Sequence, residues 1–197
     1  MIHTALLAAS IVIVSNFEGG NIRKIEQPGP AHFRVHLPGD VDQHGRNRQA
    51  NWYSFRVDGA RGQALTIDIA SIPGEYNYKP NKGAVTGDTP PYYSYDNKTW
   101  LPWEDFTYDA EEPKLTLRIT PTSDTLWVAH VPPYTNEHLA ALRRSITGSK
   151  WLKEETIGKT PEGRSMLLWH IAESKPQKHV WLMARQHSWE SPTSWVC

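Results

Sequence analysis

Hydrophobic and polar residues alternate along the chain up to about residue 131. The runs HFRVHL, YSFRV, LTIDI and LTLRI each place their apolar side chains on one face of an extended strand. Turn sequences such as PGD, DGARG, PGEY, YDNK and TPTSD separate these runs. Short alternating strands between regular turns predict an antiparallel β-sandwich or barrel. The predicted inward-facing residues are Phe33, Val35, Leu37, Tyr53, Phe55, Val57, Leu65, Ile67, Ile69, Leu115, Leu117 and Ile119.

The N-terminal sequence MIHTALLAASIVIV has two interpretations. Its apolar stretch has the length of a signal peptide, but no Lys or Arg precedes it and no clear small-x-small cleavage site follows. Residues 11–14 are all β-branched, which favours a first β-strand. We therefore predict a strand here, and residues 1–9 remain a candidate remnant of an export signal.

One connection, residues 71–98, is longer than most loops of compact domains, and such loops are often functional. Its tyrosines either form a contact surface or hold the loop against the sandwich, and we predict the second. These tyrosines are Tyr76, Tyr78, Tyr92, Tyr93 and Tyr95.

The period changes after residue 131. Leu139, Leu142 and Ile146 follow helical spacing, and Thr135 is a suitable N-cap. The segments WLKEETIGK and RSMLLWHIA flank the turn TPEG and predict a β-hairpin. The run KHVWLMA is apolar without alternation, which predicts a strand buried on both faces.

A second helix is predicted at the end of the chain, capped by Ser191 with Pro192 at its first position. Helix, hairpin, buried strand and helix are the opening of an α/β domain. We therefore predict two domains: a β-sandwich over residues 1–131 and the truncated start of an α/β domain over residues 132–197. The second has too few residues to close its sheet.

Charge and cysteine content exclude several classes of function. Acidic and basic residues balance at 21 each, whereas a nucleic-acid-binding protein normally carries a basic field. No apolar run approaches the roughly 20 residues that a membrane-spanning helix needs. The single cysteine, Cys197, excludes an internal disulfide.

Candidate chemistry lies in the last turn, where His187 and Glu190 form an H-x-x-E motif between the predicted buried strand and the last helix. Imidazole and carboxylate both suit Zn²⁺, which takes three protein ligands and a water in catalytic sites. The motif by itself is weak, since His170 and Glu173 repeat it. That second pair is predicted to lie in a strand, where three-residue spacing sends the side chains to opposite faces.

The segment ARQHSWESPTSWV resembles the zinc-binding segment of the zinc carboxypeptidases, the carboxypeptidase A superfamily. The similarity is strongest to the branch of the cytosolic carboxypeptidases and their bacterial relatives, which carry an N-terminal β-sandwich. Five further stretches that resemble this branch precede the segment, and their order along the chain is that of the family. They are FEGGNI, RQANWYSFRV, SYDNKTW, PPYT and GKTPEGRSMLLWHI.

The resemblance implies a zinc metallocarboxypeptidase that removes C-terminal residues from peptides or proteins, with His187 and Glu190 as the first two zinc ligands. Ser188-Trp189 replaces the Pro-Gly of many relatives, so substrate preference stays open. The third ligand (a His), the residues that hold the substrate carboxylate and the glutamate general base are expected downstream. No catalytic residue is therefore assigned, and we expect an N-terminal fragment that is inactive by itself.

Two further expectations complete this interpretation. The alternative function is a β-sandwich module that binds a peptide or carbohydrate through its aromatic residues, although Trp52, Trp100, Trp103 and Trp127 are more often packing residues. The sequence does not determine the cellular compartment. The cytoplasm is slightly favoured, and export is the alternative if residues 1–9 are the remnant of a signal.

Overall fold

Strands predominate in the computed structural model, which describes residues 10–42, 44–45, 47–173, 175 and 177–197. Up to residue 131 the strands are β1 (Val12–Val14), β2 (Lys24–Gly29), β3 (His32–His36), β4 (Asp40–Val41), β5 (Arg48–Gln49), β6 (Ser54–Asp58), β7 (Leu65–Ala70), β8 (Gly74–Tyr76), β9 (Lys79–Asn81), β10 (Tyr92–Ser94), β11 (Leu101–Pro102), β12 (Phe106–Asp109), β13 (Lys114–Ile119) and β14 (Thr125–Ala129).

Two five-stranded sheets are formed by the described residues of this region. The first has the order β1-β6-β14-β10-β11, and its neighbouring strands are antiparallel. The second has the order β12-β13-β7-β3-β2 and is antiparallel except at β3 and β7, which run parallel. The predicted antiparallel β-sandwich is confirmed, and the one parallel pair is the departure from it.

The hydrophobic core is built from the alternating positions of both sheets. Phe33 and Val35 of β3 and Phe55 and Val57 of β6 are buried in one continuous apolar cluster. Burying a side chain of this size stabilises the fold by about 1.5–3 kcal/mol. All the predicted inward-facing residues are buried except Ile119, which is half-buried at the edge of the cluster.

The N-terminal strand is confirmed within the described residues. β1 pairs antiparallel with β6, and Ile13 contributes to the core. The suggestion of a signal remnant concerns residues 1–9, which lie outside the described residues.

The long connection of residues 71–98 is not the loop that the sequence predicts, because it holds β8, β9 and β10. β8 and β9 complete a small four-stranded sheet of order β4-β5-β8-β9, and β10 joins the sandwich. Their three-residue lengths are too short to show alternation in the sequence. Tyr93 and Tyr95 pack against the core as predicted, whereas Tyr76 and Tyr78 are exposed.

The chain divides into two compact units. The first runs to Pro133 and also includes Arg185–Val196, and the second comprises Tyr134–Ala184 and Cys197. The predicted domain boundaries, 1–131 and 132–197, stay a prediction.

The second unit contains helix α1 (Asn136–Ile146) and a hairpin of β15 (Leu152–Lys159) and β16 (Ser165–Ile171), in the predicted order. At the predicted N-cap, the backbone N–H of Thr135 donates to Nδ1 of His138 at 3.0 Å. This contact satisfies a donor that the helix itself leaves free.

The predicted buried strand over residues 178–184 is wrong. This segment has no strand assignment, and Val180 and Trp181 are 92% and 82% exposed. A strand buried on both faces needs a paired strand on each side and a covering layer. Among the described residues of this unit, β15 and β16 pair with each other, and neither pairs with this segment.

Helix α2 (Ser191–Val196) occupies the predicted position at the end of the chain. The helix begins at Ser191 itself rather than after it, so the predicted N-cap position is one residue off, and the Ser191 hydroxyl donates to the carbonyl of Pro132 at 2.8 Å. Neither helix in the described part of the chain has the length and apolar character needed to cross a bilayer.

Candidate metal-binding turn

The turn before α2 brings the two predicted ligands together. Nδ1 of His187 lies 2.6 Å from Oε1 of Glu190, and the backbone N–H of His187 donates to Oε2 of Glu190 at 3.2 Å. The backbone also turns back on itself here, since the N–H of Glu190 donates to the carbonyl of His187 at 3.2 Å. Three-residue spacing in a turn therefore places an imidazole nitrogen and a carboxylate side by side.

Long-range hydrogen bonds hold this turn on the first unit. The buried Ser191 hydroxyl donates to the carbonyl of Pro132, and the Ser188 hydroxyl donates to the carboxylate of Asp40 at 3.3 Å. The Arg185 guanidinium donates to the carbonyl of Ser188 at 3.0 Å, and Arg185 itself has a positive φ of 54°. The left-handed backbone at Arg185 turns the chain sharply ahead of the motif.

The electrostatics of the pair favour the ionised form of Glu190. Its pKa is lowered, first by the hydrogen bond from the His187 side chain and next by the backbone N–H of His187. Glu190 is therefore a carboxylate at neutral pH, the form that binds metal ions. The His187 side chain is 63% exposed, so its imidazole is accessible to a ligand from solution.

Trp189 lies beside the imidazole rather than away from it. The rings of His187 and Trp189 are nearly parallel, at an interplanar angle of 16° with centroids 6.3 Å apart. Trp189 is half-buried, and its indole lies to one side of the His187 ring. A Pro-Gly pair in the same place would offer no such ring.

The residues present fit part of a zinc site. The adjacent nitrogen and oxygen are donor types that Zn²⁺ prefers. Among the described residues, no group of three His, Cys, Asp or Glu side chains converges on one point. The described residues therefore present two donors of the three that a catalytic zinc site uses.

The second H-x-x-E pair has a different environment. His170 lies in β16, with Nε2 3.5 Å from Oε2 of Glu155 on the facing strand. Glu173 follows the end of the strand and is exposed. His170 thus takes part in a contact across the hairpin.

Among the four tryptophans predicted to be packing residues, three have defined packing contacts in the first unit. Trp52 and Trp103 are buried, and their indole N–H groups donate to the carbonyls of Gly19 at 2.7 Å and Arg118 at 3.0 Å. Trp127 packs edge-on against Phe17 and under the Arg56 guanidinium, and Trp100 is half-buried. The contacts of Trp52, Trp103 and Trp127 are those of packing residues.

Asp40, Pro132 and Arg185 hold the turn in place and are not found by sequence reasoning. The first two contact residues 148 and 59 positions away along the chain, so no local pattern marks them. The PPYT junction contains Pro132, yet the sequence shows no reason for its carbonyl to meet Ser191. Arg185 has no signal either, since a positive φ is uncommon for arginine.

Comparisons with known proteins agree with these observations. Residues 13–131 match the cytosolic carboxypeptidase N-terminal domain family. Human cytosolic carboxypeptidase 2 is 26% identical over 215 residues, which cover 95% of this chain and 23% of that protein. An uncharacterized protein of Zymomonas mobilis is 27% identical over 186 residues, which cover 94% of this chain and 45% of that protein.

The fold matches a solved enzyme as well. A metallo-carboxypeptidase from Burkholderia cenocepacia superposes with a TM-score of 0.79 at 28% identity, covering 94% of this chain and 46% of that chain. The chain thus spans less than half the length of each of these relatives. The resemblance inferred from the sequence motifs is confirmed, and the binding-module alternative is not favoured. The chain belongs to the cytosolic carboxypeptidase N-terminal domain family.

Proposed function

We propose that this chain contributes the N-terminal part of a zinc-dependent carboxypeptidase, with His187 and Glu190 as two protein ligands of the metal. The observation that carries the proposal is the 2.6 Å approach of their side chains on a turn anchored to the first unit. The substrate is the C-terminus of a peptide or protein, as the names of the relatives indicate for those proteins.

The chain's own residues prepare the turn for a metal ion. Hydrogen bonds from His187 favour the ionised form of Glu190, and the same contact orients the imidazole. Arg185 and Ser191 hold the two ends of the turn. When bound, a zinc ion supplies Lewis-acid activation of a peptide carbonyl and of water.

The remaining machinery is proposed to come from outside these 197 residues. We infer from the family resemblance that a third ligand, a general base and carboxylate-binding residues complete the site, and that residues other than these 197 supply them. With two ligands instead of three, we expect the chain to bind Zn²⁺ weakly and to hydrolyse no peptide. Because relatives are named cytosolic carboxypeptidases, we keep the cytoplasm as the proposed compartment.

Zinc titration against a competing chelator tests the ligand assignment. We expect His187→Ala and Glu190→Gln each to weaken Zn²⁺ binding about tenfold or more. The second H-x-x-E motif supplies the matched control, because His170→Ala and Glu173→Gln remove the same chemical groups elsewhere on the surface. Equal losses in both pairs of variants would contradict the assignment.

A peptide assay tests the expected inactivity. Release of C-terminal residues is followed by mass spectrometry with the purified chain and with Glu190→Gln. We expect no hydrolysis in either sample. Hydrolysis by the chain that disappears in Glu190→Gln would show that these residues are sufficient.

A further inference from the structure

A cleft of about 620 Å³ opens on the first unit, at the carboxyl ends of β3 and β7 and beside the small four-stranded sheet. Its volume lies in the range of small-molecule binding sites. The charged and hydroxyl-bearing residues that line it include Arg23, Lys24, His36, Arg48, Ser71 and Glu75. These carry three permanent positive charges and one negative charge.

The single lining carboxylate is already engaged. Oε2 of Glu75 accepts from both Nε and Nη2 of Arg48, at 3.0 and 2.7 Å. Lys24 likewise pairs with Glu26. Arg23 is exposed and has no ion pair among the described residues, so its guanidinium is available to a ligand.

Ser71 is held in an unfavourable backbone conformation at the cleft. Its φ is 59°, in the left-handed region that a serine adopts only under constraint from its surroundings. Its Oγ lies 3.0 Å from Nδ1 of His36. When that nitrogen carries the hydrogen, the serine hydroxyl is free to donate into the cleft.

The other ring nitrogen of His36 faces a carboxylate without a hydrogen bond to it. This nitrogen, Nε2, is buried without a hydrogen-bond partner in the described part of the chain, and it lies 3.5 Å from Oε2 of Glu26. The wall beside it is closely packed, because a Cβ on Gly74 would lie 2.2 Å from the carbonyl oxygen of Arg48. The backbones of Gly74 and Arg48 are therefore in close contact beside the cleft.

We propose that this cleft binds a small polyanion, a ligand carrying two or more phosphate or carboxylate groups. Arg23 supplies a whole guanidinium group, and Arg48 supplies the Nη1 group that takes no part in its pair with Glu75. Ser71 supplies a hydroxyl in contact with His36. Guanidinium groups bind phosphate and carboxylate in the same forked geometry, so both chemistries fit. The proposal does not rest on the peptidase function.

The test is an NMR titration of the purified 197-residue chain with pyrophosphate and, separately, with citrate at matched ionic strength. We expect the amide signals of Arg48, Ser71 and Gly74 to shift, with a Kd of about 1 mM or tighter. Binding of pyrophosphate only would identify phosphate groups as the recognised chemistry, and binding of citrate only would identify carboxylates. Absence of binding by both would overturn the proposal.

Two variants separate binding from folding. Arg23→Gln is expected to weaken binding about tenfold, since hydrogen bonds to charged groups are the stronger class. Ser71→Gly removes the hydroxyl and relieves the positive φ, so it is expected to weaken binding without lowering the Tm. A lower Tm with unchanged affinity would assign Ser71 a purely structural role and overturn its place in the site.

Arg61→Gln is the matched control for charge. Arg61 is an exposed arginine of the turn before β7, whereas Ser71 follows that strand, roughly 20 Å away along its length. We expect this variant to change the affinity by less than about twofold. An equal loss in Arg61→Gln and Arg23→Gln would show non-specific attraction and overturn the proposal.

Discussion

The two units of the chain carry comparable hydrophobic segments but bury them very differently. In the first unit the apolar faces of two sheets meet in one core, where Tyr53, Phe55 and Leu117 are completely buried. In the second unit no residue of α1, β15 or β16 is buried. Apolar side chains stabilise a fold only when another element removes them from water.

This comparison teaches that an apolar run does not determine its own burial. The runs YSFRV and VWLM are both rich in large apolar residues. The first pairs on both sides, with β1 and β14, whereas Trp181 and its neighbours are exposed in the described structure. An exposed apolar segment such as VWLM favours association between molecules.

The largest contrast is expected from one substitution made in both units. Leu117→Ala should lower the free energy of unfolding by about 2–5 kcal/mol, because it removes buried methyl groups and leaves a cavity. Leu142→Ala in α1 should change it by less than about 0.5 kcal/mol, since that side chain is partly exposed. Urea unfolding followed by circular dichroism measures both, and similar losses would contradict the difference in packing.

Acid should destabilise the first unit through His130. Burial lowers the pKa of His130 from 6.5 to about 4, so the unfolded chain binds a proton that the folded chain excludes. Above pH 6.5 both the folded and the unfolded chain carry neutral His130, and this residue costs no stability. As the pH decreases from 6.5 towards 4, the free energy of unfolding falls by about 3 kcal/mol because of His130. His130→Gln should flatten this part of the pH profile of the unfolding free energy. An unchanged slope would show that carboxylates alone cause the acid sensitivity.

A smaller effect is expected at the anchor of the metal-binding turn. Ser191→Ala removes the buried hydroxyl that donates to the Pro132 carbonyl, and should cost about 1 kcal/mol of unfolding free energy. Ser188→Ala removes the exposed bond to Asp40 and should cost less than about 0.5 kcal/mol. Thermal unfolding compares the two variants, and an equal cost would mean that burial does not distinguish these anchors.

The smallest effect on stability is expected at Trp181. Trp181→Lys should change the free energy of unfolding by less than about 0.5 kcal/mol, because the side chain is 82% exposed. The same variant should reduce association in light-scattering measurements, since it interrupts an exposed apolar segment with a charge. A loss of 2 kcal/mol or more would show instead that this segment packs as a strand.

The sequence by itself determined the elements whose cause is local. Alternation in the four runs predicted the sandwich and its inward-facing residues, because a strand sends successive side chains to opposite faces. The H-x-x-E spacing was weak evidence by itself, and the family resemblance of the surrounding segment singled out His187 and Glu190, whose side chains are in contact. Thr135 was also predicted as the N-cap of α1 from residues close in the chain.

Only the tertiary structure decided the features that join distant residues. The parallel pairing of β3 with β7, the contact of Ser188 with Asp40 and the constrained Ser71 at the cleft have no local pattern. The exposure of residues 180–183 is of the same kind. A periodic pattern shows which face of a segment is apolar, but burial, register and long-range hydrogen bonds depend on which other segments pack against it.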